Sequence, residues 1–101
     1  MNDKNFILNY FDIFQKKALN SNISDNLIIL KNMIIETHKK KGKVILIGNG
    51  GSSAIASHVS VDLNKTVGIR SMNFNEYDLI TCLSNDYGYE NWVSKALGYY
   101  L

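Results

Sequence analysis

With 101 residues, the chain has the length of one small domain. Its 46% apolar and 20% charged residues are ordinary for a globular protein, and a net charge of +2 gives no electrostatic case for nucleic acid. One cysteine, Cys82, excludes an internal disulfide and fits a reducing compartment. Asp3 and its polar neighbours interrupt any leader-like segment, and no apolar run approaches a membrane span. The expectation is a cytoplasmic soluble domain.

Phe6, Ile7, Tyr10, Phe11 and Phe14 recur at helical spacing, which predicts an amphipathic helix over 3–18. This aromatic stripe suits either core or packing against another subunit. Asn20 to Ser24 supplies turn and cap residues. Leu27, Leu30, Ile34 and Ile35, with Ile28 and Met33, mark a second helix ending near Gly42. The basic run Lys39-Lys40-Lys41 and His38 close that helix, where cations complement the dipole.

Val44-Ile45-Leu46-Ile47 reads as a buried strand over 43–48. It enters the glycine turn Gly48-Asn49-Gly50-Gly51, which feeds a helix over about 52–64 that Ser52 or Ser53 can cap. Gly50 and Gly51 permit positive φ and close approach of the backbone to a ligand. Strand, tight turn and helix N-terminus make an anion site, so Asn49, Gly50, Gly51 and Ser52 are candidates for holding a phosphate-bearing small molecule. A purely structural strand-to-helix turn is the plain alternative.

A second strand is expected over 69–74 and a helix seeded by Asn75, with Leu79, Ile80, Cys82 and Leu83 on its buried side. Cys82 is thereby read as a small core residue. Asn85-Asp86-Tyr87-Gly88 has the composition of a turn, and one more helix starts at Glu90. Trp92 and Tyr87, Tyr89, Tyr99 and Tyr100 read as packing residues. The pattern divides the chain into two leading helices over 1–42 and a parallel βαβα core over 43–101. Two parallel strands are too few for a finished sheet, so a fragment of a larger domain is expected, with a sheet edge completed by another chain as the alternative.

His58 and Asp62 stand four residues apart and share a helix face. They suit two of the four contacts of a zinc ion, or form a solvated surface pair. The turn and Asp62 are ten residues apart, roughly 15 Å along a helix, too far for one phosphate to touch both. A dinucleotide-binding reading is weak. Ser53 stands at the third glycine of that fingerprint, and the second strand ends in Met72-Asn73-Phe74 without an acid.

Gly48-Asn49-Gly50-Gly51-Ser52, His58 with Asp62, and Leu83-Ser84-Asn85-Asp86-Tyr87-Gly88-Tyr89 together resemble the sugar isomerase (SIS) domain family, and within it the phosphoheptose isomerases. The resemblance covers nearly the whole chain and corresponds to the first half of such a protein. It implies a flavodoxin-like three-layer α/β/α fold with a parallel sheet, incomplete here, and a homotetramer with sites at subunit interfaces. It also implies isomerisation of sedoheptulose 7-phosphate to an aldoheptose 7-phosphate for lipopolysaccharide or capsule synthesis. Asp62 would be the catalytic acid/base, His58 and Asp62 zinc ligands where zinc is bound, and Asn85 and Asp86 substrate contacts. Asp62 replaces the family's commoner glutamate and is one methylene shorter. Thr66 stands near a position where an arginine is frequent, and the serine-rich phosphate loop would follow a third strand. A non-catalytic phosphosugar-binding or assembly module is the alternative from another class.

Overall fold

The computed structural model describes residues 2–101 and divides into two compact units, 1–35 and 36–101. The first unit holds helix α1 (Asp3–Ala18) and most of helix α2 (Ser24–Lys39). The Asn2 side chain caps α1 by accepting from the Asn5 amide at 2.8 Å, with Asp3 in the first turn and Lys16 and Lys17 in the last. Neither helix has a buried residue. Phe6, Tyr10, Phe11 and Phe14 are all exposed.

Helix α2 ends at Lys39, three residues before Gly42. Lys41 takes the left-handed conformation (φ 58°), its amide bonding His38 O while the Gly42 amide bonds Thr37 O. This is the double bond pattern of a Schellman stop, with a lysine where glycine is usual.

The second unit is built on a two-stranded parallel ladder, β1 (Val44–Ile45) beside β2 (Ser71–Met72). Both strands are shorter than the apolar runs that announce them. The Leu46 amide still reaches Met72 O at 3.0 Å, but beyond it the chain turns away into the glycine turn. Helix α3 (Gly51–Asp62) connects the strands, and α4 (Tyr77–Tyr87) and α5 (Trp92–Tyr100) follow β2. Alternation along the strands separates two faces. Ser71 Oγ bonds Ser60 Oγ of α3 at 3.1 Å, whereas Ile45 and Met72 pack on the cluster of Phe74, Leu83, Trp92 and Ala96 beside α4 and α5. The small buried residues Ala56 and Ser60, one turn apart, let α3 come close to the ladder. The chain is mostly helical with a small two-stranded parallel sheet, which is compatible with an incomplete α/β fragment.

A five-residue π turn, Leu63–Val67, prolongs α3 and ends at Gly68 (φ 73°). It delivers the Asn64 carboxamide to β2. Asn64 Oδ1 accepts from the Ser71 amide at 2.9 Å, and Nδ2 donates to Ser71 O at 2.7 Å and Ser60 O at 2.9 Å. The ladder bonds run from Val44 to Arg70 O and from Leu46 to Met72 O, so the Ser71 amide and carbonyl face away from β1. Asn64 thus closes the outer edge of β2 at Ser71, and an added strand has to pair with β1.

Candidate functional site

The glycine turn owes its shape to glycines that act differently. A Cβ on Gly48 would lie 2.3 Å from Ser52 C and O, so the first turn of α3 rests directly on this residue. Gly50 adopts φ 57°, ψ −125° and forms the helix boundary, with no side-chain cap. Gly51 does not have positive φ and faces open space. Ser52 and Ser53 lie inside the first turn of α3, so neither is the cap expected from their position. Their amides close tight turns onto Asn49 O (3.1 Å) and Gly50 O (3.0 Å). These two donors are thereby drawn away from a ligand, and the anion site is narrower than a bare helix N-terminus.

Asn49 is tied to a distant part of the sequence: its Oδ1 accepts from the Tyr89 hydroxyl at 3.2 Å. Tyr89 follows Gly88, which ends α4, and Asn85 and Asp86 lie in the last turn of that helix. The structure therefore brings the glycine turn and the 85–89 segment together. Asn85-Asp86-Tyr87 does not form the expected turn. These residues continue α4, and Gly88, at φ 88° with its amide on Ser84 O, supplies the stop. Asn85 Nδ2 donates to Asp86 Oδ1 at 3.2 Å.

His58 and Asp62 do share an outward face of α3, with His58 Nε2 3.4 Å from Asp62 Oδ2. His58 is 80% exposed and Asp62 55%. Zinc with bonds near 2.1 Å holds two tetrahedral ligands about 3.4 Å apart, so this pair fits two corners of such a site. Among the described residues no group of three or more His, Cys, Asp or Glu side chains gathers to hold a metal. Asn49, Gly50, Gly51, Ser52, Asn85 and Asp86 are likewise exposed. Ten residues of helix, roughly 15 Å, separate Asp62 from Ser52 of the glycine turn.

Two other expectations are corrected. Asn75 does not seed α4, whose boundary is Glu76. Its carboxamide instead crosses to α3, donating to Ser53 O at 2.8 Å and Ser57 Oγ at 2.6 Å, while Oδ1 is buried without a partner. Cys82 is exposed. It lies one turn from Asp78 and one from Asp86, outside the stripe of Leu79, Ile80 and Leu83. The Asp86 carboxylate, through charge and then a 3.6 Å hydrogen bond, raises the thiol above its ordinary pKa. Cys82 borders an open cavity of about 640 Å³ with Glu76, Asp78, Leu79, Leu83 and Tyr100. A smaller one of about 240 Å³ is lined by Lys43, Asn64, Arg70, Ser71 and Met72. No candidate site residue lines either.

Sequence reading assigned Tyr89 to packing and Asn75 to a helix start and passed over Asn64, because each bonds a partner that local spacing does not reveal.

No protein-family model and no solved structure matches the chain significantly. Curated relatives do. The chain is 32% identical over 91 residues to a phosphoheptose isomerase of Helicobacter pylori, covering 81% of this chain and 47% of that protein. It is 30% identical over 93 residues to a phosphoheptose isomerase of Sulfurimonas denitrificans, covering 86% of this chain and 48% of the relative. With phosphoheptose isomerase 2 of Campylobacter jejuni it shares 36% identity over 83 residues, 72% of this chain and 41% of the relative. Over this stretch the chain is phosphoheptose isomerase-like. It spans about half the length of these curated relatives. No helix of this phosphoheptose isomerase-like chain, among the described residues, is long and apolar enough to cross a membrane.

Proposed function

We propose that the chain is the part of a phosphoheptose isomerase of the sugar isomerase class that grips the phosphosugar and supplies one acid/base group. The observation that carries this reading is the Asn49–Tyr89 bond, which joins the glycine turn to the 85–89 segment. Two stretches forty residues apart, both part of the resemblance, meet there. The names of the relatives support the reaction class.

The substrate is sedoheptulose 7-phosphate and the product D-glycero-D-manno-heptose 7-phosphate. Its chemistry is enediol proton transfer. A proton leaves C1, the C2 carbonyl oxygen takes one, and the enediol then gains a proton at C2 as O1 loses its own. Asn49, Gly50, Gly51 and Ser52 bind the substrate from the turn, with Asn85 and Asp86 on the neighbouring segment. Asp62 is the acid/base group, from a shorter arm than glutamate. Where zinc is bound, His58 and Asp62 hold two of its positions and the ion supplies Lewis-acid polarisation of substrate oxygens. With about 15 Å of helix between the turn and Asp62, the two serve different sites of a homotetramer built at subunit interfaces.

The test is a titration of the ¹⁵N-labelled chain with sedoheptulose 7-phosphate, followed residue by residue. Shifts centred on Asn49, Gly50, Gly51 and Ser52 support the reading, and a folded spectrum that does not move rejects it. Solvent deuterium incorporation at C1 of the bound sugar separates catalysis from the binding-only alternative.

A further inference from the structure

We infer that Tyr89 is a positioning residue that fixes the Asn49 carboxamide with its donors turned toward the ligand, an inference that rests on the phosphosugar reading of the glycine turn. A carboxamide can present either an acceptor or a pair of donors, and the two orientations are nearly equal in shape. Here the Tyr89 hydroxyl donates to Oδ1 at 3.2 Å, and among the described residues Nδ2 makes no hydrogen bond, so its two N–H groups stay available. The oxygens of a phosphate or a sugar phosphate are acceptors, so the donor-outward orientation is the useful one. That matters more because the Ser52 and Ser53 amides are already turned back onto Asn49 O and Gly50 O. Nδ2 of Asn49 supplies donors that the helix start has withdrawn.

The backbone is shaped to aim Tyr89. Gly88 stands at φ 88°, ψ 144°, a conformation that disfavours a side chain, and it follows directly on the end of α4. The Asn91 amide then returns to Gly88 O at 3.0 Å, and Asn91 Nδ2 donates to Tyr87 O at 2.9 Å, which locks the short turn carrying Tyr89. Tyr89 itself is 57% exposed, so core packing does not account for its placement.

The test is a double-mutant cycle on binding of sedoheptulose 7-phosphate, read from ¹⁵N shifts of the full chain, with Tyr89→Phe, Asn49→Ala and the pair combined. Loss of the hydroxyl should weaken binding about 5-fold in the native background, the worth of one oriented neutral hydrogen bond, and leave it unchanged where Asn49 is already alanine. Equal losses in both backgrounds would mean that Tyr89 acts only on the fold, and would overturn the inference. So would unchanged affinity in Tyr89→Phe. Asn49→Asp gives a second check: it still accepts from Tyr89 but offers no donor, and should bind at least as poorly as Asn49→Ala. Retained binding in that variant would overturn the donor-outward assignment. If the native chain binds no phosphosugar at the turn, the functional reading and this inference fall together. If it binds but the cycle shows no coupling, only the inference falls.

Discussion

Replacing Gly48 with alanine tests the packing logic of the glycine turn most directly. The new Cβ would stand 2.3 Å from Ser52 C and O and 2.6 Å from Ser53 N. Carbon contacts are comfortable near 3.5 Å, so the start of α3 would have to retreat by roughly 1 Å. These are backbone atoms, with no rotamer to absorb the clash. Retreat is also opposed by Asn75, whose Nδ2 holds Ser53 O at 2.8 Å and Ser57 Oγ at 2.6 Å. Asn75 Oδ1 is already buried without a partner, and freeing Nδ2 would add a second unpaired group. Overpacking typically costs about 1–3 kcal/mol and an orphaned buried donor about as much again, so a loss near 3 kcal/mol is expected. The chain's single tryptophan, Trp92, is 5% exposed in the core beside Phe74 and Ala96, and its fluorescence reports unfolding of this unit. With a urea slope of about 1.5 kcal/mol/M, the Gly48→Ala midpoint should fall by about 2 M.

The neighbouring glycines are internal controls. Gly50→Ala meets no atom within 4 Å but must hold φ 57°, so a loss of about 1 kcal/mol is expected. Gly51→Ala is free of both problems and enters a helix, so stability should stay level or rise by a few tenths of a kcal/mol. A Gly48→Ala midpoint within about 0.5 M of the native one, or equal losses at all three positions, would refute the claim that α3 rests on Gly48.

Asn64→Ala should cost about 2 kcal/mol in the same assay, since it uncovers both the amide and the carbonyl of Ser71. Asn64→Asp should be at least as harmful at neutral pH, because its carboxylate would face the Ser60 and Ser71 carbonyls, and protonation below about pH 4 should return part of the loss. Lys41→Gly should stabilise the chain by about 1 kcal/mol in urea melts, by relieving the left-handed lysine at φ 58°. The Glu76 carboxyl is held above its ordinary value first by the hydrogen bond it donates to Asp78, then by that residue's charge and by desolvation. The folded chain therefore binds this proton more tightly than the unfolded one. The contribution is complete below the ordinary glutamate value, about pH 4, and is lost as pH rises through the raised one. Glu76→Gln should accordingly raise the urea midpoint at pH 7 and leave it unchanged near pH 4.

Helix α1 was legible because the helical spacing of Phe6, Ile7, Tyr10, Phe11 and Phe14 marks a single segment over 3–18. The start of α3 was less so. Ser52 and Ser53 have the chemistry of caps, yet Gly50 at φ 57° takes that place and leaves the serines inside the first turn. Cys82 was misread because an apolar count assigns it to Leu79 and Leu83, while the four-residue spacing sets it with Asp78 and Asp86. Asn85 to Gly88 has turn composition, but only Gly88 breaks the helix. Three glycines of one turn look alike in sequence and differ entirely in what they tolerate. The reach of Asn49 to Tyr89, and of Asn75 to Ser57, belongs to the tertiary fold and has no local signature.

The outward position of His58 and Asp62 follows from how α3 is held, not from looseness. Asn75 grips the helix near its start through Ser53 and Ser57, and Asn64 grips its end through Ser60 while closing β2. Two carboxamides, one at each end, leave the helix little freedom to rotate. Ala56 and Ser60 then face the ladder, and the 3.6-residue period obliges His58 and Asp62 to face away from it. Rotating α3 enough to bury Asp62 would break both clamps and drive Ser60 out of contact with Ser71. Any ligand that reaches His58 and Asp62 therefore has to approach from this outer face and not through the sheet that carries the helix.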